Sequence, residues 1–139
     1  MVAGAEHARL EVALKLARQI HVERGDAERS TFISRWTSYH GATLATLSVG
    51  GAKGRRKKYE PLLLDVPHIS PPYCYRCPAT DHDGCGERYA AELERAILDA
   101  GTGRVAAFIA AALTVLPGFA PQVEAGVPTA LAKGDRLDI

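Results

Sequence analysis

Residues 31–41 read Thr-Phe-Ile-Ser-Arg-Trp-Thr-Ser-Tyr-His-Gly, an apolar run followed at once by an aromatic ring, an imidazole and a glycine. The chemistry open to this set is the holding of a flat ligand. In an open α/β sheet the carboxyl ends of the strands and the turns after them form the ligand crevice, so Tyr39 at such an edge can face a bound cofactor. The plainer alternative is that Tyr39 packs in a core, where aromatic rings are common.

A second set of chemistry-bearing residues is Cys74, Cys77 and Cys85, with His82 and His68 nearby. Thiolates and imidazoles suit a tetrahedral zinc site, and Cys74-x-x-Cys77 has the tight ligand spacing. A second tight pair is missing, and Pro71, Pro72 and Pro78 mark the segment as a long irregular loop. The pattern therefore favours free thiols over metal. Three cysteines cannot all pair within one chain, which argues against a secreted disulfide framework.

The elements that must position these groups follow from periodicity. Leu10, Ala13, Leu14, Ala17 and Ile20 share one helical face, with Glu11, Lys15, Arg18 and Gln19 on the others, predicting an amphipathic helix from about Glu6 to Glu23. Gly25-Asp26 is a stop, and Thr31–Trp36 is a first strand, β-rich and too short for a helix. Ala42–Val49 suits a short buried helix closed by Gly50-Gly51. Ala52–Gly86 is a long loop holding the basic run Lys53-Gly54-Arg55-Arg56-Lys57-Lys58, which reads as solvated surface. Tyr89, Leu93, Ala96, Ile97 and Ala100 recur with helical period through Glu87–Ala100, and Arg104–Ile109 resembles a buried parallel strand. Alternating helices and strands imply crossover units on a parallel sheet. Two strands are too few for a doubly covered sheet, so the architecture looks like part of a larger one, with poor solubility expected of its uncovered faces. From Ala110 to Ile139, prolines and glycines favour an irregular, weakly ordered tail.

Composition bounds the partners. The 139 residues are of one-domain size. Seventeen basic against sixteen acidic residues leave a net charge of +1, so no overall field favours nucleic acid or an anionic membrane. No apolar run reaches the roughly 18 residues of a membrane span, and no leader-like segment opens the chain, so a cytoplasmic protein is expected.

From Leu10 to about Ile109 the sequence resembles the class III aminotransferases, pyridoxal-phosphate enzymes of fold type I. The matching stretches are Glu11-Val12-Ala13-Leu14-Lys15-Leu16-Ala17-Arg18-Gln19, Ser38-Tyr39-His40-Gly41 with Thr43-Leu44 and Leu47-Ser48, Tyr59-Glu60-Pro61-Leu62, and Val105-Ala106-Ala107-Phe108-Ile109. The resemblance implies an α/β fold, a partial three-layer sheet of the large domain over residues 1–109, with 110–139 as a divergent tail. It implies pyridoxal phosphate as cofactor and amino transfer between an amine or amino acid and a keto acid. By resemblance Tyr39 stacks on the cofactor's pyridine ring, and His40-Gly41 shape the turn around it.

Departures from the family pattern set further expectations. Its glycine- and serine-rich phosphate turn before the first helix reads here Val2-Ala3-Gly4-Ala5-Glu6-His7-Ala8, leaving Gly4 as the cofactor-binding remnant. After Ile109 the family continues to an aspartate that holds the pyridinium nitrogen and a lysine that bonds the cofactor. Ala111-Ala112 stand here instead, and no counterpart of either residue is recognised. A truncated form, inactive alone and with no catalytic residue of its own, is the expectation. The alternatives are a non-catalytic remnant that forms a homo- or hetero-dimer with a full-length relative, or a small zinc module.

Overall fold

A computed structural model describes residues 3–72 and 84–110. The chain opens with helix α1, Ala3–Glu23. Leu14 is its most buried apolar residue, with Leu10 and Ala17 partly covered, whereas Ala13 and Ile20 are exposed. Val12, Leu16 and Ile20 form an apolar stripe on the outer side. A helix apolar on two sides gives periodicity nothing to choose between, which is why Ala13 and Ile20 read as inward in the sequence.

Strand β1, Thr31–Arg35, forms the centre of a parallel three-stranded sheet in the order β2-β1-β3, with β2 at His68–Ile69 and β3 at Val105–Phe108. Ser34 pairs with His68 and Arg35 with Ile69 on one side, while Thr31, Phe32 and Ile33 pair with Val105, Ala107 and Phe108 on the other. The strand β2 lies inside the segment expected to be loop. It is two residues long between Pro67 and Ser70, and is held by β1's amides: Ser34 donates to Pro67 O and Trp36 to Ile69 O.

Side chains alternate across β1. Phe32 joins Leu14, Val49 and Val66 in the core under α1 and helix α2, Leu44–Val49, and the buried Ser34 hydroxyl donates to Val49 O at 2.6 Å. Ile33 and Arg35 take the other face, beneath helix α4, Cys85–Ala100. There Arg35 donates to Ser70 O, and Glu92 on α4 accepts from both the amide and the hydroxyl of Ser70. The sheet is thus a small middle layer between helices. Between α2 and β2 the chain makes a four-residue helix α3, Lys53–Arg56, and a 3-10 turn, Glu60–Leu62. No helix among the described residues is long and apolar enough to cross a membrane.

The chain leaves β1 for β2 on one side and returns to β3 on the other. The strand order therefore reverses at β1, and its carboxyl end is where an open α/β sheet places its crevice.

Candidate functional site

The carboxyl end of β1 stops abruptly. Trp36 makes the last ladder hydrogen bond, and Thr37 then takes a φ of 65°, a left-handed conformation that is an outlier for a β-branched residue. Such strain costs on the order of 1–2 kcal/mol and persists only where neighbours hold it. Here the neighbour is Gly51. Thr37 N–H donates to Gly51 O at 3.0 Å, Gly51 N–H donates to Ser38 O at 3.0 Å and to Ser38 Oγ at 3.1 Å, and Ser38 Oγ donates to Arg35 O at 2.6 Å. A Cβ at Gly51 would sit 2.2 Å from Arg35 O and 2.5 Å from Trp36 Cα, so only glycine allows this approach. Gly41, at φ 137°, ends the turn, and Thr43 Oγ1 caps α2 by accepting from Thr46 N–H.

Within the turn, Ser38 is buried, Tyr39 is 50% exposed, His40 is half-buried and Gly41 is buried. Burying the flanks of a tight turn leaves its middle residue outside, so the Tyr39 ring is presented at the sheet's carboxyl edge. Nε2 of His40 is buried without a partner among the described residues. Loss of water lowers the basicity of His40, and the charge of His68 lowers it further. His68 stacks on Trp36, with ring centres 4.3 Å apart and planes at 22°. Its Nδ1 lies 2.6 Å from Val66 O and its Nε2 3.2 Å from Gly50 O. Burial is the main cause of its lowered basicity, with Arg56 adding to it and the carbonyl partners opposing. A neutral imidazole has one N–H, so it serves one of these two carbonyls at a time.

The basic run is not uniformly solvated surface, contrary to its reading in sequence. Arg56 is half-buried, and its Nη1 donates to Leu47 O, Ser48 O and Gly50 O at 2.5–2.8 Å, satisfying carbonyls that the end of α2 leaves open. Lys53 Nζ lies 4.7 Å from the centre of the Trp36 ring and Arg55 Cζ 4.8 Å from that of Tyr39. The aromatics that the run lacks in sequence are supplied in space by the turn.

Of the site residues expected from sequence, Tyr39, His40 and Gly41 stand together in this turn. Gly4 lies in the first turn of α1, whose amino-terminal half reaches the same edge: the Glu11 carboxylate accepts from the Thr43 hydroxyl. Cys74, Cys77 and His82 lie outside the described residues, Cys85 is buried in the first turn of α4, and His68 is engaged as above. Among the described residues no three His, Cys, Asp or Glu side chains come together as a metal site. Sequence reasoning missed Gly51 as the latch, and Trp36, Lys53 and Arg55 as parts of the site. In sequence the adjacent Gly50-Gly51 pair is the signal at the latch, and such a pair after an apolar run reads equally as a helix stop.

A parallel sheet covered by helices, with a strained aromatic turn at its switch point, is the α/β architecture of pyridoxal-phosphate-dependent transaminases. An amine transaminase from an uncultivated Pseudomonas species, solved in its PLP-bound form, superposes with a TM-score of 0.71 at 31% identity, over 76% of this chain and 24% of that one. The omega transaminase of Pseudomonas jessenii in complex with PMP gives 0.69 at 28% identity, over 74% and 23%. The profile of the class III aminotransferases matches residues 1–127, and the chain belongs to that family. Its curated relatives include the uncharacterized aminotransferase YodT of Bacillus subtilis, 36% identical over 118 residues, 79% of this chain and 27% of the relative. Another is the adenosylmethionine-8-amino-7-oxononanoate aminotransferase of Methanocaldococcus jannaschii, 47% identical over 74 residues, 53% of this chain and 16% of that protein. The chain thus spans about a quarter or less of the length of these relatives.

Proposed function

We propose that the carboxyl end of β1 is the ring-stacking wall of a pyridoxal-phosphate site in a class III transaminase, which moves an amino group between an amine or amino acid and a keto acid. The observation that carries this reading is the half-exposed Tyr39 ring, held at the switch point of the sheet in a chain of this family. The residues fit a planar aromatic ligand: Tyr39 offers a flat, half-exposed apolar surface, and in the next residue of the same turn the buried Nε2 of His40 has no hydrogen-bond partner among the described residues. Pyridoxal phosphate supplies an electron-withdrawing ring that stabilises negative charge next to the transferred amine.

This chain's own residues bind and orient. Tyr39 contributes dispersion and offset stacking, roughly 0.5–1.5 kcal/mol beyond the area it covers. His40, its basicity lowered by burial, adds no positive charge to the turn near pH 7. Gly51 and Ser38 hold the turn, so the ring is in place before a ligand arrives. Gly4, in the first turn of α1, lies where the positive end of the helix dipole favours the cofactor phosphate. The roles assigned to these residues are binding and orientation, and none of those named supplies the amine or the carboxylate of the family's chemistry.

Equilibrium dialysis against pyridoxamine 5′-phosphate tests the reading, because that form lacks the aldehyde that would react with surface lysines. Saturable binding that survives Tyr39→Phe and weakens about 2- to 10-fold in Tyr39→Leu is expected from the stacking range. Equal affinity in all three proteins would contradict it.

A further inference from the structure

We propose, resting on the cofactor-wall reading above, that Arg56 is a positioning residue for the site: it fixes the Gly50-Gly51 peptide and, through that peptide, the backbone of the turn that carries Tyr39. Arg56 Nη1 donates to Gly50 O at 2.8 Å, beside its bonds to Leu47 O and Ser48 O. That oxygen and the Gly51 N–H are the two polar ends of one planar trans peptide unit, so turning either end turns the other. The Gly51 N–H donates to Ser38 O at 3.0 Å and to Ser38 Oγ at 3.1 Å, and Ser38 directly precedes Tyr39. The guanidinium on α3 thus grips one end of the peptide, and the turn grips the other.

This peptide needs a grip at its oxygen because glycine stands on both sides of it. With no Cβ on either flank, rotation of the peptide plane meets little steric resistance. Such a rotation carries the Gly51 N–H away from both Ser38 oxygens and frees the backbone that sets where residue 39 stands. The other side chain at Gly50 O is His68, with Nε2 at 3.2 Å. A neutral imidazole has one N–H, and Val66 O lies nearer, 2.6 Å from Nδ1, so Arg56 is the constant donor. Among the described residues no carboxylate forms an ion pair with Arg56, and its charge is directed at carbonyls, where charged hydrogen bonds are roughly twice as strong as neutral ones. The effect runs through the main chain and stands beside the contacts that the Tyr39 side chain itself makes, that of Arg55 among them. A direct attraction of the Arg56 charge for a phosphate would instead be kept by lysine and screened by salt.

Equilibrium dialysis of the full chain against pyridoxamine 5′-phosphate, below the melting temperature of each variant, is expected to show affinity falling roughly three- to ten-fold in Arg56→Met, the loss for a turn that is competent in about a third to a tenth of the molecules. Arg56→Lys, which keeps the charge but not the planar fork, should lose affinity too, and it carries the test where Arg56→Met melts too low. Lys58→Ala, at an exposed position of the same basic run, should lose little, and the fold-losses should be the same at low and high salt. Amide hydrogen exchange at Gly51 should quicken in both Arg56 variants while that at Ser34, which donates to Pro67 O in the sheet, stays as it was. Full affinity in Arg56→Lys, a loss that disappears at high salt, or exchange that quickens equally at Ser34 and Gly51 overturns the proposal. Affinity lowered in Tyr39→Leu but kept in both Arg56 variants overturns it while leaving the cofactor wall standing. Absence of binding in the unaltered protein overturns both.

Discussion

At its amino end β1 is closed by main-chain and guanidinium hydrogen bonds. Ser30 and Thr31 N–H both donate to Arg104 O, Arg29 donates to Thr102 O and Val105 O, and Arg18 donates to Arg29 O. These bonds tie the turn before β1 to the turn before β3, and no ring is held out to solvent. A few residues further on, at the carboxyl end, hydrogen bonding is as dense but serves a different purpose. It holds Thr37 in a costly conformation, keeps Ser38 inside and leaves Tyr39 outside. One end of the strand spends its bonds on closure and the other on presentation. Strain and an open aromatic face stand at one end only, and that is the end proposed above as the site.

The sharpest way to break this contrast is Gly51→Ala. The added Cβ meets backbone atoms that cannot move aside, so unfolding by denaturant should show a loss of roughly 3 kcal/mol or more. A near-neutral result would mean that the turn is not latched there. Arg29→Ala should cost about 2 kcal/mol through its charged hydrogen bonds at the closed end, yet leave affinity for pyridoxamine 5′-phosphate unaltered. Loss of affinity in that variant would erase the distinction between the two ends. Ser38→Ala removes a buried hydroxyl at the presenting end and should cost about 1 kcal/mol, with affinity falling in parallel.

Acid provides a milder probe. His40 and His68 both have basicities lowered below the ordinary value of 6.5, chiefly by burial, so the unfolded chain binds protons before the folded one does. Stability from this source is complete above about pH 7 and is lost as pH falls through 6.5 toward the lower folded values. Replacing both histidines with glutamine should flatten melting temperature against pH between 7 and 5. An unchanged slope would place the acid sensitivity elsewhere. The smallest effect is expected of Thr37→Gly, where relief of left-handed strain is largely offset by the entropy of a new glycine, for a net gain below about 1 kcal/mol.

What was legible in sequence depended on how far apart the interacting residues lie. The helix α1, the strand at Thr31 and the helix α4 repeat an apolar pattern over consecutive residues, and Tyr39, His40 and Gly41 are adjacent, so local order revealed them. The strand β2 has two residues and exists because Ser34 and Trp36 donate to carbonyls more than thirty positions away, which no window over its own sequence can register. Likewise the latch between Gly51 and Arg35, the Arg56 bonds to the end of α2 and the Arg55 contact with Tyr39 join separate segments. A run of arginines and lysines looks the same in sequence whether it faces water or covers two aromatic rings.

The central claim, that the carboxyl end of β1 is where a planar cofactor lies against Tyr39, is tested most directly by nuclear magnetic resonance of the full chain titrated with pyridoxamine 5′-phosphate. The account predicts that the ring protons of Tyr39, assigned by their loss in Tyr39→Leu, show ring-current shifts and direct through-space contacts to the ligand's one carbon-bound pyridine proton and its ring methyl group. Amide shifts should gather at Trp36–Gly41 and leave Arg29–Thr31 unmoved. Contacts confined to other tyrosines, or shifts centred on the amino end of β1, would contradict it.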